Sequence, residues 1–165
     1  MTRAVLSIGS NLGDRVANLQ SVLDGLGPSV VAVSGVFETA PWGGVEQQDF
    51  LNAIVLADDS SLDCYGWLRR AQDLENAAQR VRDVRWGPRT LDVDIVDCDG
   101  ARNDDPVLTL PHPRAHQRAF VLVPWLDVEP GATLRDEPVS DLLAALPDDE
   151  RAGVRPTDYA LRPTG

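Results

Sequence analysis

"RWGPRTLDVDIVDC", residues 85–98, joins an arginine-rich segment to a run in which apolar and acidic residues alternate. Alternation with a period of two residues predicts an extended strand, whose successive side chains point to opposite faces. One face of this strand is apolar and is expected to face a core, while the other carries two carboxylates. The apolar side chains are those of Leu91, Val93 and Ile95, and the carboxylates are those of Asp92 and Asp94.

The rest of the chain is expected to alternate strands with helices. Residues 3–11 read as a strand and turn, followed by a helix that begins at about Asp14 and ends at Gly27 and Pro28. Residues 60–80 predict a helix capped near Ser60 or Ser61. Further strands are predicted at 29–39, 49–58 and 119–128, with a short helix at 140–146, a possible final strand and a mobile tail at 162–165. This order favours an α+β fold with one open sheet over a doubly wound parallel sheet.

Length and composition limit the possible classes of protein. With 165 residues, of which 43% are hydrophobic, the chain is expected to form one domain over residues 1–165. The net charge of −11 argues against a broad surface for nucleic acid or anionic membrane. All 15 basic residues are arginines, and the absence of lysine excludes both a Walker A loop and Schiff-base chemistry.

The location and the state of the chain are also expectations at this level. No stretch approaches the roughly 18 apolar residues of a membrane span, and the first residues lack the apolar core of a signal peptide. We therefore expect a cytoplasmic protein. Cys64 and Cys98 are expected to be free thiols rather than a disulfide. A monomer is expected, because no large apolar stripe is left over.

The paired aspartates of residues 92–94 are candidates for a metal site. On one face they lie roughly 7 Å apart and repel each other unless they are solvated or share cations. Mg²⁺ is bound by one or two such carboxylates together with water and substrate phosphates. A cluster of arginines directly precedes them, which favours a magnesium-polyphosphate site. The arginines are Arg80, Arg82, Arg85 and Arg89. A merely solvated acidic face, or simple pairing of arginine with aspartate, remains an alternative.

Four segments together resemble the 6-hydroxymethyl-7,8-dihydropterin pyrophosphokinase family. They are "SIGSNLGDR" (7–15), "FETAPWGGVEQQDFLNAIV" (37–55), "RVRDVRWGPRTLDVDIV" (80–96) and "LPHPRAHQRAFVLVPWLDVEP" (110–130). The likeness extends over roughly residues 4–147 and leaves the tail, from about 149 to 165, weakly matched. It implies one mostly antiparallel sheet with helices packed on both faces, a ferredoxin-like α/β/α sandwich.

The resemblance also implies an activity. Such an enzyme moves pyrophosphate from ATP to the hydroxymethyl group of the dihydropterin in folate biosynthesis and releases AMP. It would use ATP as co-substrate with two Mg²⁺ ions, bound by Asp92 and Asp94. Two rival functions stay open: a catalytically silent relative that binds magnesium-nucleotide, and a two-metal phosphohydrolase.

The other site residues are likewise implied by the resemblance. The catalytic loop would contribute Arg80, Trp86 and Arg89. The nucleotide side would contain Gln72, Glu75, Arg82, Ile95, Thr109, His112 and Arg118. The pterin side would contain Thr39, Trp42, Gly43, Phe50, Asn52 and Phe120, with the flat heterocycle stacked between the two phenylalanines. A neutral His112 that donates to a phosphate is preferred over a zinc site shared with His116, because no third nitrogen or sulfur ligand is apparent.

Overall fold

The computed structural model describes residues 2–41, 48–78 and 90–164. Within them the larger sheet has the order β10–β3–β4–β1–β5, with β2 also paired to β4, and all of its pairings are antiparallel. Two small sheets join β6 to β7 and β8 to β9. The strands are β1 (Arg3–Ser10), β2 (Val30–Val33), β3 (Phe37–Thr39), β4 (Phe50–Asp58), β5 (Asp92–Cys98), β6 (Asn103–Asp105), β7 (Leu108–Leu110), β8 (Thr133–Leu134), β9 (Glu137–Pro138) and β10 (Arg155–Pro156).

Helices cover both faces of the larger sheet. The α-helices of the described ranges are α1 (Arg15–Leu26), α2 (Cys64–Ala77), α3 (Ala119–Val128), α4 (Val139–Ala144) and α5 (Asp148–Ala152). The first core, between the sheet and α1 and α2, contains Leu6, Leu23 and Trp67. The second core, on the opposite face under α3 and α4, contains Ile54 and Trp125. This arrangement confirms the predicted α+β sandwich.

Helix α1 begins and ends where the sequence predicts. Asp14 caps it, because its Oδ1 accepts the Ala17 N–H at 3.0 Å and satisfies one of the open amides of the first turn. Gly27 follows the helix with a φ of 55°, a conformation that glycine adopts without a Cβ penalty. Between these ends, Leu19 and Leu23 are fully buried, and such burial contributes about 1.5–3 kcal/mol per side chain.

Helix α2 begins later than predicted. Its cap is Asp63, whose Oδ1 accepts the Gly66 N–H at 2.7 Å, and not Ser60 or Ser61. Ser61 belongs to the preceding turn, where its N–H donates to the Asp59 Oδ1 at 2.9 Å. Either serine or aspartate can cap a helix, so residue type alone did not distinguish the positions.

The segment predicted as one strand at 29–39 forms two. Between β2 and β3, the Ser34 Oγ accepts the Ile54 N–H at 2.9 Å and donates to the Gly35 carbonyl at 2.7 Å. The side chain thus substitutes for the backbone in one position of the ladder. Both strands still pair with β4.

The segment 119–128 was wrongly predicted as a strand, since it forms helix α3. It is apolar almost throughout, so it shows no helical period in the sequence. Its position explains this composition, because Val121, Leu122 and Trp125 are buried in the second core. Pro124 lies inside the helix and does not end it.

The prediction of free thiols is also wrong. Cys64 and Cys98 form a disulfide, with their Cα atoms 5.9 Å apart. The bond joins the first residue of α2 to the last residue of β5, and the two positions are 34 residues apart in sequence. Only the packing of the helix start on the strand end brings them together.

The last quarter of the chain contains the two elements that the sequence predicts there. The short helix and the final strand predicted there are present as α4 and β10. In the tail predicted to be mobile, the Arg162 N–H donates to the Gln20 Oε1 at 3.0 Å and the Thr164 hydroxyl donates to the Asp24 Oδ1 at 3.3 Å. None of the helices in the described ranges has the length and hydropathy to cross a membrane.

Candidate active site

A row of directly opposed residues crosses one end of the sheet. Gly9 of β1 lies opposite Asn52 of β4 on one side and opposite Asp92 of β5 on the other. Asn52 in turn lies opposite Phe37 of β3. Residues directly opposite each other on antiparallel strands share a face, so this row presents four neighbouring positions to the same side.

The next row identifies that side. Ser7 lies between Ile54 and Asp94, and Ile54 belongs to the second core under α3. Asp92 and Asp94 therefore point to the α3 face, while Val93 between them is buried in the first core. The predicted orientation of this strand is confirmed.

Gly9 has no side chain, and this lets groups of the neighbouring strand β4 approach its Cα closely. A Cβ there would lie 3.3 Å from the Asn52 Oδ1 and 3.7 Å from the Phe50 Cδ1. The amide of Asn52 is held in place, because it is buried and its Nδ2 donates to the Thr39 Oγ1 at 2.9 Å. Thr39, Phe50 and Asn52 thus form a wall beside Gly9.

A cation lies near the two aspartates. Burial lowers the pKa of the Arg118 guanidinium, and the negative charges of Asp94 and Asp92 act in the opposite direction. The guanidinium carbon also lies 5.5 Å from the centroid of the Phe120 ring, within the range of a cation–π contact. Arg118 therefore connects the carboxylates to an aromatic face.

Glu75 joins helix α2 to the strand that carries the aspartates. It is buried, and its Oε2 accepts the Val93 N–H at 2.9 Å. A carboxylate that accepts a backbone N–H forms a charge-assisted bond, which is stronger than a neutral one. Gln72 lies one turn earlier on the same helix and is exposed.

His112 is held as a neutral imidazole. Burial lowers its pKa to about 4, and the positive charges of Arg118 and Arg114 add to the effect. Its Nδ1 accepts the Arg114 N–H at 3.2 Å, so the ring proton belongs on Nε2, which is free to donate elsewhere. The His112 N–H itself donates to the Val96 carbonyl at 2.9 Å and fixes the residue beside β5.

The donor set fits magnesium better than zinc. In the described part of the chain, no group of three or more His, Cys, Asp or Glu side chains is arranged to hold a metal ion. Zinc requires such a set, whereas Mg²⁺ takes one or two carboxylates and completes its shell with water and phosphate. The partly exposed pair Asp92 and Asp94 meets the second requirement.

Comparison with known proteins identifies the family. The family model of 7,8-dihydro-6-hydroxymethylpterin-pyrophosphokinase (HPPK) matches residues 5–130. The chain belongs to the HPPK family. A 2-amino-4-hydroxy-6-hydroxymethyldihydropteridine pyrophosphokinase of Mycobacterium leprae is 56% identical over 176 residues, which cover 98% of this chain and 92% of the relative. The Bacillus subtilis protein of the same name is 38% identical, and the match covers 76% of this chain and 77% of that relative.

Solved structures support the HPPK fold. The match to wild-type HPPK-DHPS of Plasmodium falciparum has a TM-score of 0.64 at 13% identity, and it covers 87% of this chain. This HPPK-family chain spans 44% of the length of that protein. At this identity the likeness concerns the fold alone.

Seven of the predicted HPPK site residues share the α3 face of the sheet. They are Thr39, Phe50, Asn52, Asp92, Asp94, Arg118 and Phe120. The Ile95 side chain does not join them, because it is buried in the first core on the opposite face. The Ile95 backbone is better placed than its side chain to contact a nucleotide. The Val93 N–H points away from β1, toward Glu75, and backbone groups two residues apart on a strand point to the same side. The Ile95 N–H and carbonyl therefore also point away from β1.

Thr109 also lies apart from the other predicted residues of this HPPK-family chain. It belongs to the small sheet of β6 and β7, and its hydroxyl donates to the Asp105 carbonyl at 3.0 Å. The predictions for six further residues lie outside the described residues. They are Trp42, Gly43, Arg80, Arg82, Trp86 and Arg89.

Sequence reasoning missed two contributors to this HPPK site. Gly9 falls in the segment 3–11, which predicts only a strand and turn, although a glycine near the end of a strand is a signal of close approach. The pKa of His112 is lowered in part by Arg114, which lies in the matched segment 110–130 but was not a predicted site residue.

Proposed function

We propose that the chain transfers pyrophosphate from ATP to the hydroxymethyl group of 6-hydroxymethyl-7,8-dihydropterin and releases AMP, as a step of folate biosynthesis. The observation that carries this proposal is the shared face of the sheet. A carboxylate pair and an arginine suited to a metal-bound polyphosphate adjoin a wall of amide and aromatic groups suited to a flat heterocycle. A phosphohydrolase would need only the first of these.

The phosphate side is assigned to four residues. Asp92 and Asp94 would hold two Mg²⁺ ions, which when bound neutralise phosphate charge. Arg118, which lies near both carboxylates, would pair with phosphate oxygens. His112, which is neutral and protonated on Nε2, would donate one hydrogen bond to a phosphate oxygen without adding charge.

The pterin side is assigned to the wall beside Gly9. Phe50 and Phe120 would stack on the two faces of the heterocycle. The Asn52 amide would read the edge of the ring, because it offers both a donor and an acceptor. The bond to the Thr39 Oγ1 would orient this amide toward the ring edge.

The reaction proposed is an in-line displacement. The pterin hydroxyl oxygen bonds to the β-phosphorus, the bond from that phosphorus to the α–β bridging oxygen breaks, and AMP leaves while the hydroxyl proton passes to water. The described residues include no obvious general base beside the wall, and a loose transition state requires mainly positioning and charge stabilisation. Among the described residues, Arg118 would supply positive charge next to Asp92 and Asp94.

The test is to incubate the purified protein with ATP, Mg²⁺ and the hydroxymethyldihydropterin and to separate the nucleotides by chromatography. AMP that forms only when pterin is present, in equal amount to the pterin pyrophosphate, is the expected result. Inorganic phosphate formed without pterin would instead indicate a phosphohydrolase, and tight magnesium-nucleotide binding without turnover would indicate a silent relative.

The remaining parts of the proposal concern the state of the enzyme. We propose a monomer that works in the cytoplasm, where ATP is supplied, on two small molecules and without nucleic acid. Large exposed apolar side chains among the described residues are scattered over separate elements, and they are Val31, Tyr65, Val107 and Tyr159. Light scattering during size exclusion should give a mass near 17.9 kDa.

A further inference from the structure

A network of charged residues lies behind the pterin-side wall. Arg15, the first residue of α1, donates through its Nη1 to the Glu38 Oε2 at 2.9 Å and to the Asp49 carbonyl at 3.0 Å. Its side chain is only 18% exposed. Glu38 lies in β3, and Asp49 directly precedes β4. One guanidinium thus holds the ends of two neighbouring strands.

A second arginine completes the network from the C-terminal strand. Arg155 of β10 donates through its Nη2 to the Asp49 Oδ2 at 2.9 Å, and the same atom lies 3.7 Å from the Glu38 Oε1. Arg155 is also the residue directly opposite Glu38 in the pairing of β10 with β3. This strand lies beyond residues 5–130, the part matched by the family model.

The network acts at the position where the wall is assembled. Thr39 follows Glu38 and lies opposite Phe50, which follows Asp49. The pairing of β3 with β4 has only three residue pairs, so few backbone hydrogen bonds hold the two strands together. The bond from the Asn52 amide to the Thr39 Oγ1 depends on that pairing.

The two arginines cannot themselves contact a ligand on the wall. Side chains alternate along β3, so Glu38 points to the face opposite that of Phe37 and Thr39. Arg15 approaches Glu38 from α1, which covers the first core on that opposite face. Their effect on the wall must therefore pass through the backbone of β3 and β4.

We propose that Arg15 and Arg155 are positioning residues for pterin binding, and that the C-terminal strand β10 is therefore part of the substrate-binding apparatus. This inference rests on the proposed function. The arginines hold Glu38 and Asp49 together, and this keeps Thr39, Phe50 and Asn52 in the relative positions that the heterocycle requires. Loss of either arginine weakens the pterin side and leaves the nucleotide side unchanged.

The test compares steady-state constants of Arg15→Gln and Arg155→Gln with those of Arg162→Gln. Arg162 is an exposed arginine of the same C-terminal segment that bonds Gln20 only through its backbone. We expect the KM for pterin to rise about tenfold in Arg15→Gln and less in the more exposed Arg155→Gln, with the KM for ATP within about twofold of wild type. Arg15→Lys should restore part of the loss, because a lysine can keep one of the two bonds.

Three results would overturn the inference. They are an unchanged pterin KM in both variants, an equal rise of both KM values, and the same change in Arg162→Gln. If Arg15→Gln does not fold, Arg155→Gln, whose side chain is 52% exposed, decides the matter. Absence of pterin-dependent AMP in the wild type would refute the proposed function itself, and a fluorescence titration of pterin binding would then test the positioning role separately.

Discussion

The Glu75 carboxylate of α2 accepts the Val93 N–H of β5 at 2.9 Å, at the residue between the two aspartates. Glu75→Ala removes the acceptor from a buried N–H, which costs about 1–3 kcal/mol. We expect urea unfolding to show this loss, and Glu75→Gln to recover most of it because its amide oxygen can still accept. Asn76→Ala, at an exposed position of the same helix, should change little. Equal losses in all three variants would contradict this role of Glu75.

Gly9→Ala tests the space beside the wall. The added Cβ would lie 3.3 Å from the Asn52 Oδ1, closer than an ordinary contact, so the amide must move. We expect the KM for pterin to rise roughly fivefold while thermal stability changes little, since the obstructing atom belongs to a side chain. The control is Gly131→Ala, where a Cβ would meet nothing within 4 Å. A normal pterin KM in Gly9→Ala would show that the ring does not lie there.

Asp94→Asn should separate turnover from folding. Loss of one ligand of the proposed magnesium site should lower pterin-dependent AMP formation by about 100-fold or more. The free energy of unfolding should change by only about 1 kcal/mol, because Asp94 is partly exposed.

The matched control for Asp94→Asn is Asp97→Asn on the same strand. Asp97 lines a separate cavity of about 370 Å³ with Arg3 and Trp125, and burial raises the pKa of its carboxyl. Its neutral variant should keep its activity and its dependence on Mg²⁺. Equal activity of the two variants would remove Asp94 from the metal site.

His112 predicts a particular dependence of stability on pH. Its pKa falls from 6.5 to about 4 on folding, so the unfolded chain binds the proton more readily than the folded one. The contribution to stability therefore rises as pH increases from about 4 to 6.5 and is constant above that range. Urea unfolding at several pH values should show this slope in the wild type and a smaller slope in His112→Gln. An NMR titration midpoint near 6.5 in the folded protein would contradict the burial argument.

Reduction of the disulfide should destabilise the protein. Cys64 and Cys98 close a loop with a sequence separation of 34, and a link of this span is worth about 3–4 kcal/mol in the chain-entropy account. We expect a dithiol reductant to lower the urea midpoint of the wild type and to have no effect on the Cys64→Ser/Cys98→Ser variant. Free thiols detected by titration in the untreated, unfolded protein would disprove the bond.

Local signals in the sequence were sufficient to predict helix ends and the orientation of a strand, because these depend on the type of one or a few residues. Asp14 and Gly27 set the ends of α1, and the alternation around Val93 predicted which face carries Asp92 and Asp94. These features depend on neighbours within a few residues. For the candidate site, they were enough to predict that Asp92 and Asp94 share one face of the sheet.

Features that depend on distant contacts could not be predicted in this way. The apolar segment around Leu122 becomes a helix because it is buried between the sheet and α4, and its composition is equally suited to a strand. The partner of Cys64 depends on how α2 packs on β5. The network of charged residues that contains Arg15 and Arg155 joins positions 140 residues apart, so no local pattern indicates it.

Among the described residues, strand β5 lies at the edge of the larger sheet, where unpaired backbone groups can recruit a strand from another molecule. Here the outward Val93 N–H is bonded to Glu75, and the Val96 carbonyl is bonded to the His112 N–H. Two residues assigned to the nucleotide side therefore also block this edge against added strands. Loss of Glu75 should accordingly make the protein more prone to aggregate, which links its resistance to self-association to a side chain predicted for the nucleotide side.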